Sequence, residues 1–289
     1  MNKKQVTGIG VAVLLIAVYF GVKTYASNHA EKIVNKTIAK IANFVDVDYK
    51  KVSVDLFGLD VHISDILVST AGAKDKMKID EIIIDNVDDK SDIPAFLSMS
   101  INGIELSISE LGEDVKEIRG LGYNEKLLFN LNADYNYDQE KKELNVNRIG
   151  IGADKVGEIN ISMHLGNINL DPKKIVGILF TYPQIMVYEA KINYEDASLA
   201  QRLMKLEAQK NNKNLKDFKK FLIQNLEKEI EKEKDKFTKK ALVEIKKFID
   251  DPEEFSISVS PSKPRPLGRI MRCNNPKEAI KLLNVKIKS

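Results

Sequence analysis

Val61-His62-Ile63-Ser64-Asp65-Ile66-Leu67-Val68 decides how this chain is read. Its apolar residues fall at Val61, Ile63, Ile66 and Val68, so a step of two is followed by a step of three and another step of two. The same spacing recurs at Met77, Ile79, Ile82, Ile84, then at Met99, Ile101, Ile104, Leu106, and again at Leu144, Val146, Ile149, Ile151. A regular strand sends alternate side chains to opposite faces, so a step of three throws the second pair to the wrong side. One extra residue, a β-bulge, restores the phase, bends the strand and adds twist. A two-residue hairpin also keeps both pairs on one face. Asn102-Gly103 carries the residues such a turn prefers, so both arrangements stay open for the third copy. In either case successive strands share one apolar face on a curved sheet. That face, as core or as a lipid-facing surface, is the candidate site: Leu59, Val61, Ile63, Ile66, Val68, Ile79, Ile82, Ile84, Ile101, Ile104, Leu106, Val146 and Ile149.

Composition bounds the rest. A chain of 289 residues can bury a proper core in one large domain or two small ones. Charged residues make up 30% and apolar ones 43%, the profile of a globular protein. The net charge of +3, with Lys interleaved among Asp and Glu, argues against a nucleic-acid surface. Cys273 is the single cysteine, which excludes an intrachain disulfide and a thiolate metal cluster and leaves it a bystander.

The chain opens with a short basic stretch, Met1 to Lys4, and an uncharged apolar run from Val6 to Val22, closed by Lys23. A helix over 5–25 is about 30 Å long, enough to cross a bilayer's hydrocarbon core. Lys3 and Lys4 keep the amino terminus cytoplasmic and place the bulk of the chain outside the cytoplasm. The competing reading is a cleaved signal peptide with Thr24-Tyr25-Ala26 at its end. Residues 28–44 read as an amphipathic helix with Ile33, Val34, Thr37, Ile38, Ile41 and Ala42 on one side. It either caps the sheet or lies on the membrane surface.

From Tyr49 to Tyr194 the pattern is a long meander of strands, mainly antiparallel, cleanest at Leu127, Phe129, Leu131, Ala133, Tyr135 and Tyr137. Asp92 to Leu97 reads as a short helical turn around Pro94. Ser109 to Gly122 reads as a linker with helical character, and Asp171-Pro172 as the start of a short helix. At Asp196 the period changes to helical, with Leu199, Leu203 and Leu206 on one stripe, and continues to Pro252. A single apolar stripe predicts helices lying on the sheet. Strands at Phe255 to Val259 and Val285 to Ile287 complete it. The fold expected is thus α+β: an N-terminal transmembrane helix, a long curved, groove-like sheet with bulged strands, and C-terminal helices packed on it. The segments are 1–27 (anchor or signal peptide), 28–195 (helix and sheet), 196–252 (helices) and 253–289 (closing strands and a short helix).

A search for reaction chemistry returns little. His29, His62 and His164 are far apart, and none has a partner at metal-ligand spacing. His62 falls on the opposite face from Val61 and Ile63, where a strand meets solvent. Gly150-Ile151-Gly152 lacks the strand-turn-helix setting of a phosphate loop and reads as a strand with a bend. No nucleophile elbow or triad is present. The chain is therefore read as non-enzymatic and without cofactor.

The apolar start, Val52 to Val68 and Ile93 to Leu106, in particular Ser98-Met99-Ser100-Ile101-Asn102-Gly103-Ile104-Glu105-Leu106, resemble the N-terminal region of AsmA-like bacterial envelope proteins. The later part resembles uncharacterised bacterial membrane-anchored proteins. The first resemblance implies an inner-membrane protein with its bulk in the periplasm, and a β-groove that conveys lipid. The chain is short for a membrane-to-membrane bridge, since about ten strands at ~4.8 Å span only about 50 Å. Two expectations follow: an apolar groove that binds phospholipid acyl chains, or an envelope scaffold whose own helices fill that face. They differ in whether the face is covered.

Overall fold

Ile63 stands opposite Ile82, and Ile66 opposite Ile79, in one unbroken antiparallel register. The step of three therefore leaves the pairing intact, because both strands carry the irregular residue at the same level. This relationship comes from a computed structural model, which describes residues 34–35, 38–39, 42, 45–55, 60–70, 76–88, 94–109, 115–170 and 181–289.

Twelve strands form one antiparallel sheet among the described residues: β1 (Val45–Asp48), β2 (Lys51–Val54), β3 (Val61–Thr70), β4 (Met77–Val87), β5 (Phe96–Ser107), β6 (Lys126–Asp138), β7 (Glu143–Ala153), β8 (Gly157–Gly166), β9 (Met186–Asp196), β10 (Glu254–Val259), β11 (Arg265–Pro266) and β12 (Lys286–Lys288). The order is β1-β3-β4-β5-β6-β7-β8-β9-β10-β12, with β2 on β3 and β11 on β9. The short strands share positions at the two sides, so the sheet is ten strands wide, about 43 Å at ~4.8 Å per step. The helices are α1 (Val115–Gly120), α2 (Leu199–Lys210), α3 (Leu215–Lys232), α4 (Lys236–Asp250), α5 (Leu267–Met271) and α6 (Pro276–Leu283).

The irregular residues line up across four strands. Asp65 has a φ of 53°. Asp80 lies across from Gly103, between the pairs Ile79–Ile104 and Glu81–Asn102. At Gly103, φ is +68°. On the other side β1 and β2 share one register on β3, with Tyr49 and Lys50 between them. Lys50 bridges to Asp65 at 3.3 Å. The kink ends at β6, where Ile101 pairs with Leu131 and Ile104 with Phe129, so that Asn102 and Gly103 together oppose Asn130. Asn130 Oδ1 accepts the freed Gly103 N–H at 2.9 Å. Asn102-Gly103 is thus a bulge inside a continuous β5, and not a hairpin. β7 carries its own shift between Val146 and Ile149, the fourth copy of the spacing.

Several expectations change. Phe96 and Leu97 belong to β5, with Leu97 paired to both Val87 and Tyr135, so strand pairing outweighs the helical turn read around Pro94. β1 and β11 were not foreseen; each is short and depends on a long neighbour for its pairing. Val34, Asn35, Ile38 and Ala39 are helical. Val34 packs against the core, and Asn35 accepts a 2.8 Å hydrogen bond from the Tyr49 hydroxyl, so at these residues the helix caps the sheet. The apolar run at 5–25 and the short helix expected from Asp171-Pro172 lie outside the described residues. Among the described residues, no helix is long and apolar enough to cross a membrane.

The C-terminal helices pack first on one another, α3 against α4 and α2 against α3, while α4 meets β12. Phe248 of α4 also reaches the rings of Tyr194 (6.1 Å) and Phe255 (5.6 Å). The expected packing of helices on the sheet is met here by α4, while α2 and α3 pack mainly on other helices. Leu203, read as part of α2's apolar stripe, is exposed, and the helix buries Ala208 instead.

Candidate functional site

Directly opposed residues in an antiparallel pair share a face, so the registers trace that face across the whole sheet. One row runs Val52, Ile63, Ile82, Ile101, Leu131, Ile151, Ile159, Tyr194, Phe255. The next runs Val54, Val61, Ile84, Met99, Ala133, Ile149, Ile161, Ile192, Ile257, Ile287. Every member is apolar. The register shifts lie outside these two rows, and the one in β5 keeps the row beside them, Ile66, Ile79, Ile104 and Phe129, on the same face.

From β3 onward the two rows pass from a closed half to an open one; Val54, at the β2 edge, is 42% exposed. Across β3, β4 and β5, Val61, Ile63, Ile66, Val68, Ile79, Ile82, Ile84, Ile101 and Ile104 are each 7% exposed or less and form the main core. At β6, Phe129, Leu131, Ala133 and Tyr135 are half-buried against that core. Beyond it, Ile149, Ile151, Ile159, Ile192 and Ile257 are between 41% and 54% exposed. Of the remaining sequence-named residues, Leu106 is half-buried and Val146 buried. Ile149 sits in the open half, and Leu59 lies outside the described residues. Ile151, Ile159, Ile192 and Ile257 complete the open surface. The alternation that placed them in strands was the only signal for them, and it cannot tell an open face from a filled one.

The opposite face is polar. His62 lies there, its Nδ1 2.9 Å from Glu81 and its Nε2 3.5 Å from Asp55. The Glu81 hydrogen bond, aided by the charges of Glu81, Asp55 and Asp60, holds the imidazole above its ordinary pKa, against a smaller cost of burial. In β7, Gly150 and Gly152 leave room on this face for the side chains of Asn160 and Glu158. Arg148 donates to both, at 2.6 Å to Asn160. His164 stacks on Tyr188 at 4.2 Å and contacts Glu143. Both histidines are thus held by carboxylates in ordinary strand-face pairs.

At the β9 end of the apolar face, Tyr194 donates to Asp196, and burial with that carboxylate pushes its phenol far above the usual range. Asp196 also accepts the Ala200 N–H at 2.9 Å, which fixes the start of α2. Tyr123 donates to the Lys155 carbonyl at 3.1 Å, and Arg202 sits over its ring at 4.5 Å. These contacts tie α2 and the segment before β6 to the β7–β8 turn. Among the described residues, no three His, Cys, Asp or Glu side chains form a group that could hold a metal. Cys273 is half-buried, its thiol directed at the Arg269 carbonyl at 3.7 Å.

A family model described as "Uncharacterized protein" matches residues 150–289. A protein of Aquifex aeolicus (strain VF5), also described as "Uncharacterized protein", is 26% identical over 229 residues, covering 73% of this chain and 72% of the relative. The family match starts at Gly150 in β7, so it takes in every residue of the open half except Ile149. Neither description names AsmA-like proteins, and that resemblance rests on the N-terminal residues that suggested it.

Proposed function

We propose that this is a non-enzymatic envelope protein, held at the inner membrane by its N-terminal segment with its bulk in the periplasm, that holds lipid acyl chains on the open half of a β-groove. The observation that carries the reading is the exposure of Ile149, Ile151, Ile159, Ile192 and Ile257 in rows that continue a fully buried core. Contiguous apolar surface of this kind marks a place where something else binds. The closed half, β3 to β5, is scaffold and gives the open half its rigidity.

Magnitudes favour a ligand with more than one chain. Covering a half-exposed isoleucine recovers roughly 1 kcal/mol, so five give about 5 kcal/mol before the cost of association. That is too little for tight binding by one chain lying on these residues alone. A two-chain lipid also covers the half-buried neighbours Ile161, Met163 and Ala190. Lipid mass spectrometry on residues 28–289, purified without detergent, tests the proposal. A diacyl lipid retained in stoichiometric amount is the expected result, and a lipid-free, monomeric protein would refute it.

A further inference from the structure

We infer that the cleft between α2, the α2–α3 turn and the loop at Gly120–Gly122 binds a phosphate-class anion. Resting on the proposal above, its natural occupant is the phosphate of a lipid headgroup whose chains lie on the open isoleucines. The cleft has a volume of about 680 Å³. Its wall includes three cations, Arg202, Lys205 and Lys213, and no carboxylate. In a chain with 45 basic and 42 acidic residues that is a marked local imbalance. Two other clefts among the described residues mix the signs: one sets Lys219 against Asp196, Asp250 and Asp251, the other Lys247 and Lys288 against Glu253 and Glu254. Two acids close to the lining residues in sequence are held by neighbours: Glu207 pairs with Lys210 at 2.6 Å, and Asp217 accepts from Asn214 at 2.6 Å.

The cations are arranged for use. Ser198, Gln201, Arg202, Lys205 and Gln209 recur at helical spacing, so they lie along one stripe of α2. The Arg202 guanidinium is fixed before any ligand arrives: Nε donates to Ser198 at 2.8 Å and Nη1 to the Leu121 carbonyl at 2.9 Å. Stacking over Tyr123 holds it from below. A planar guanidinium already oriented loses little entropy on taking a phosphate oxygen. Lys213 stands over the Phe221 ring at 3.9 Å. Lys205, exposed and one turn along from Arg202, supplies the mobile charge. Position also fits: Ser198 and Tyr123 both donate to the Lys155 carbonyl in the β7–β8 turn, and Ile151 and Ile159 pair two steps from that turn.

The test uses the full chain in phosphatidylcholine nanodiscs, titrated by calorimetry with inorganic phosphate and, separately, with dihexanoyl phosphatidic acid. Both bind, and the lipid binds more tightly. Lys205→Glu with Lys213→Glu weakens both by about tenfold or more, and Lys205→Gln, which leaves the Lys213–Phe221 stack in place, by about threefold. Ile151→Asn with Ile192→Asn weakens only the lipid. Absence of phosphate binding, or phosphate binding unchanged by the charge reversals, overturns the anion site whatever the lipid does. If phosphate binds in the cleft but the lipid binds no tighter and ignores the isoleucine changes, the headgroup assignment is overturned, and with it the acyl-chain reading.

Discussion

Ile101 and Ile151 lie in one row of the sheet, separated only by Leu131, yet Ile101 is 1% exposed and Ile151 54%. Two residues of one type, on one face, sharing the neighbour Leu131, therefore have opposite environments. The difference lies in packing against the core cluster, and it divides one continuous apolar surface into a buried half and an exposed half.

Stability follows that division. Ile101→Ala or Ile82→Ala removes buried atoms and leaves a cavity, at a cost of about 2–5 kcal/mol. Ile151→Thr or Ile192→Thr keeps a β-branched residue in a strand and stays within about 1 kcal/mol of the parent. Urea unfolding of the four variants checks this. Equal losses in both halves would mean that the β7–β9 face is covered in solution.

Gly103 fixes the bulge. A Cβ built there overlaps the Asp80 side chain, and its φ of +68° is one that L side chains rarely adopt. Gly103→Ala is expected to cost on the order of 2–4 kcal/mol, from the left-handed backbone and the displaced Asp80 together. Gly103→Ala combined with Asp80→Gly recovers only the part due to overlap. Full recovery in the double variant would place the strain in the contact and leave none in the backbone.

His62 gives a pH dependence with a defined sign. The Glu81 hydrogen bond raises its folded pKa above the ordinary 6.5. The charged imidazole's contribution is then fully present below pH 6.5 and is lost as pH rises through the folded value. The stability difference between parent and His62→Gln is largest on the acid side and shrinks above it. A parent–variant difference that is constant with pH, or an NMR titration midpoint below 6.5, contradicts the assignment.

The sheet was largely legible in the sequence because Val61, Ile63, Ile66 and Val68 and their later copies obey a spacing that keeps one apolar face only if the strand is interrupted, by a bulge in β5 and by the paired irregular residues Asp65 and Asp80 in β3 and β4. The sequence left open which device served at Asn102-Gly103. The choice is made by β6, long enough to pair with Leu97 and Leu106 alike. Cover was not legible. Ile63 and Ile149 belong to the same motif, and only the packing of other segments makes one core and the other surface. The helices show the same limit: Leu203 fits an apolar stripe by spacing and stays exposed, whereas Phe218 of α3's stripe is buried. The Arg202 cleft was invisible because it joins Gly122 to a helix eighty residues later.

Photo-crosslinking with a lipid bearing a diazirine on its acyl chain tests the central claim most directly. The account predicts adducts on β7 to β10, at or beside Ile149, Ile151, Ile159, Ile192 and Ile257, and their loss in Ile151→Asn with Ile192→Asn. Adducts confined to the helices α2 to α4, or none on the sheet at all, would contradict it.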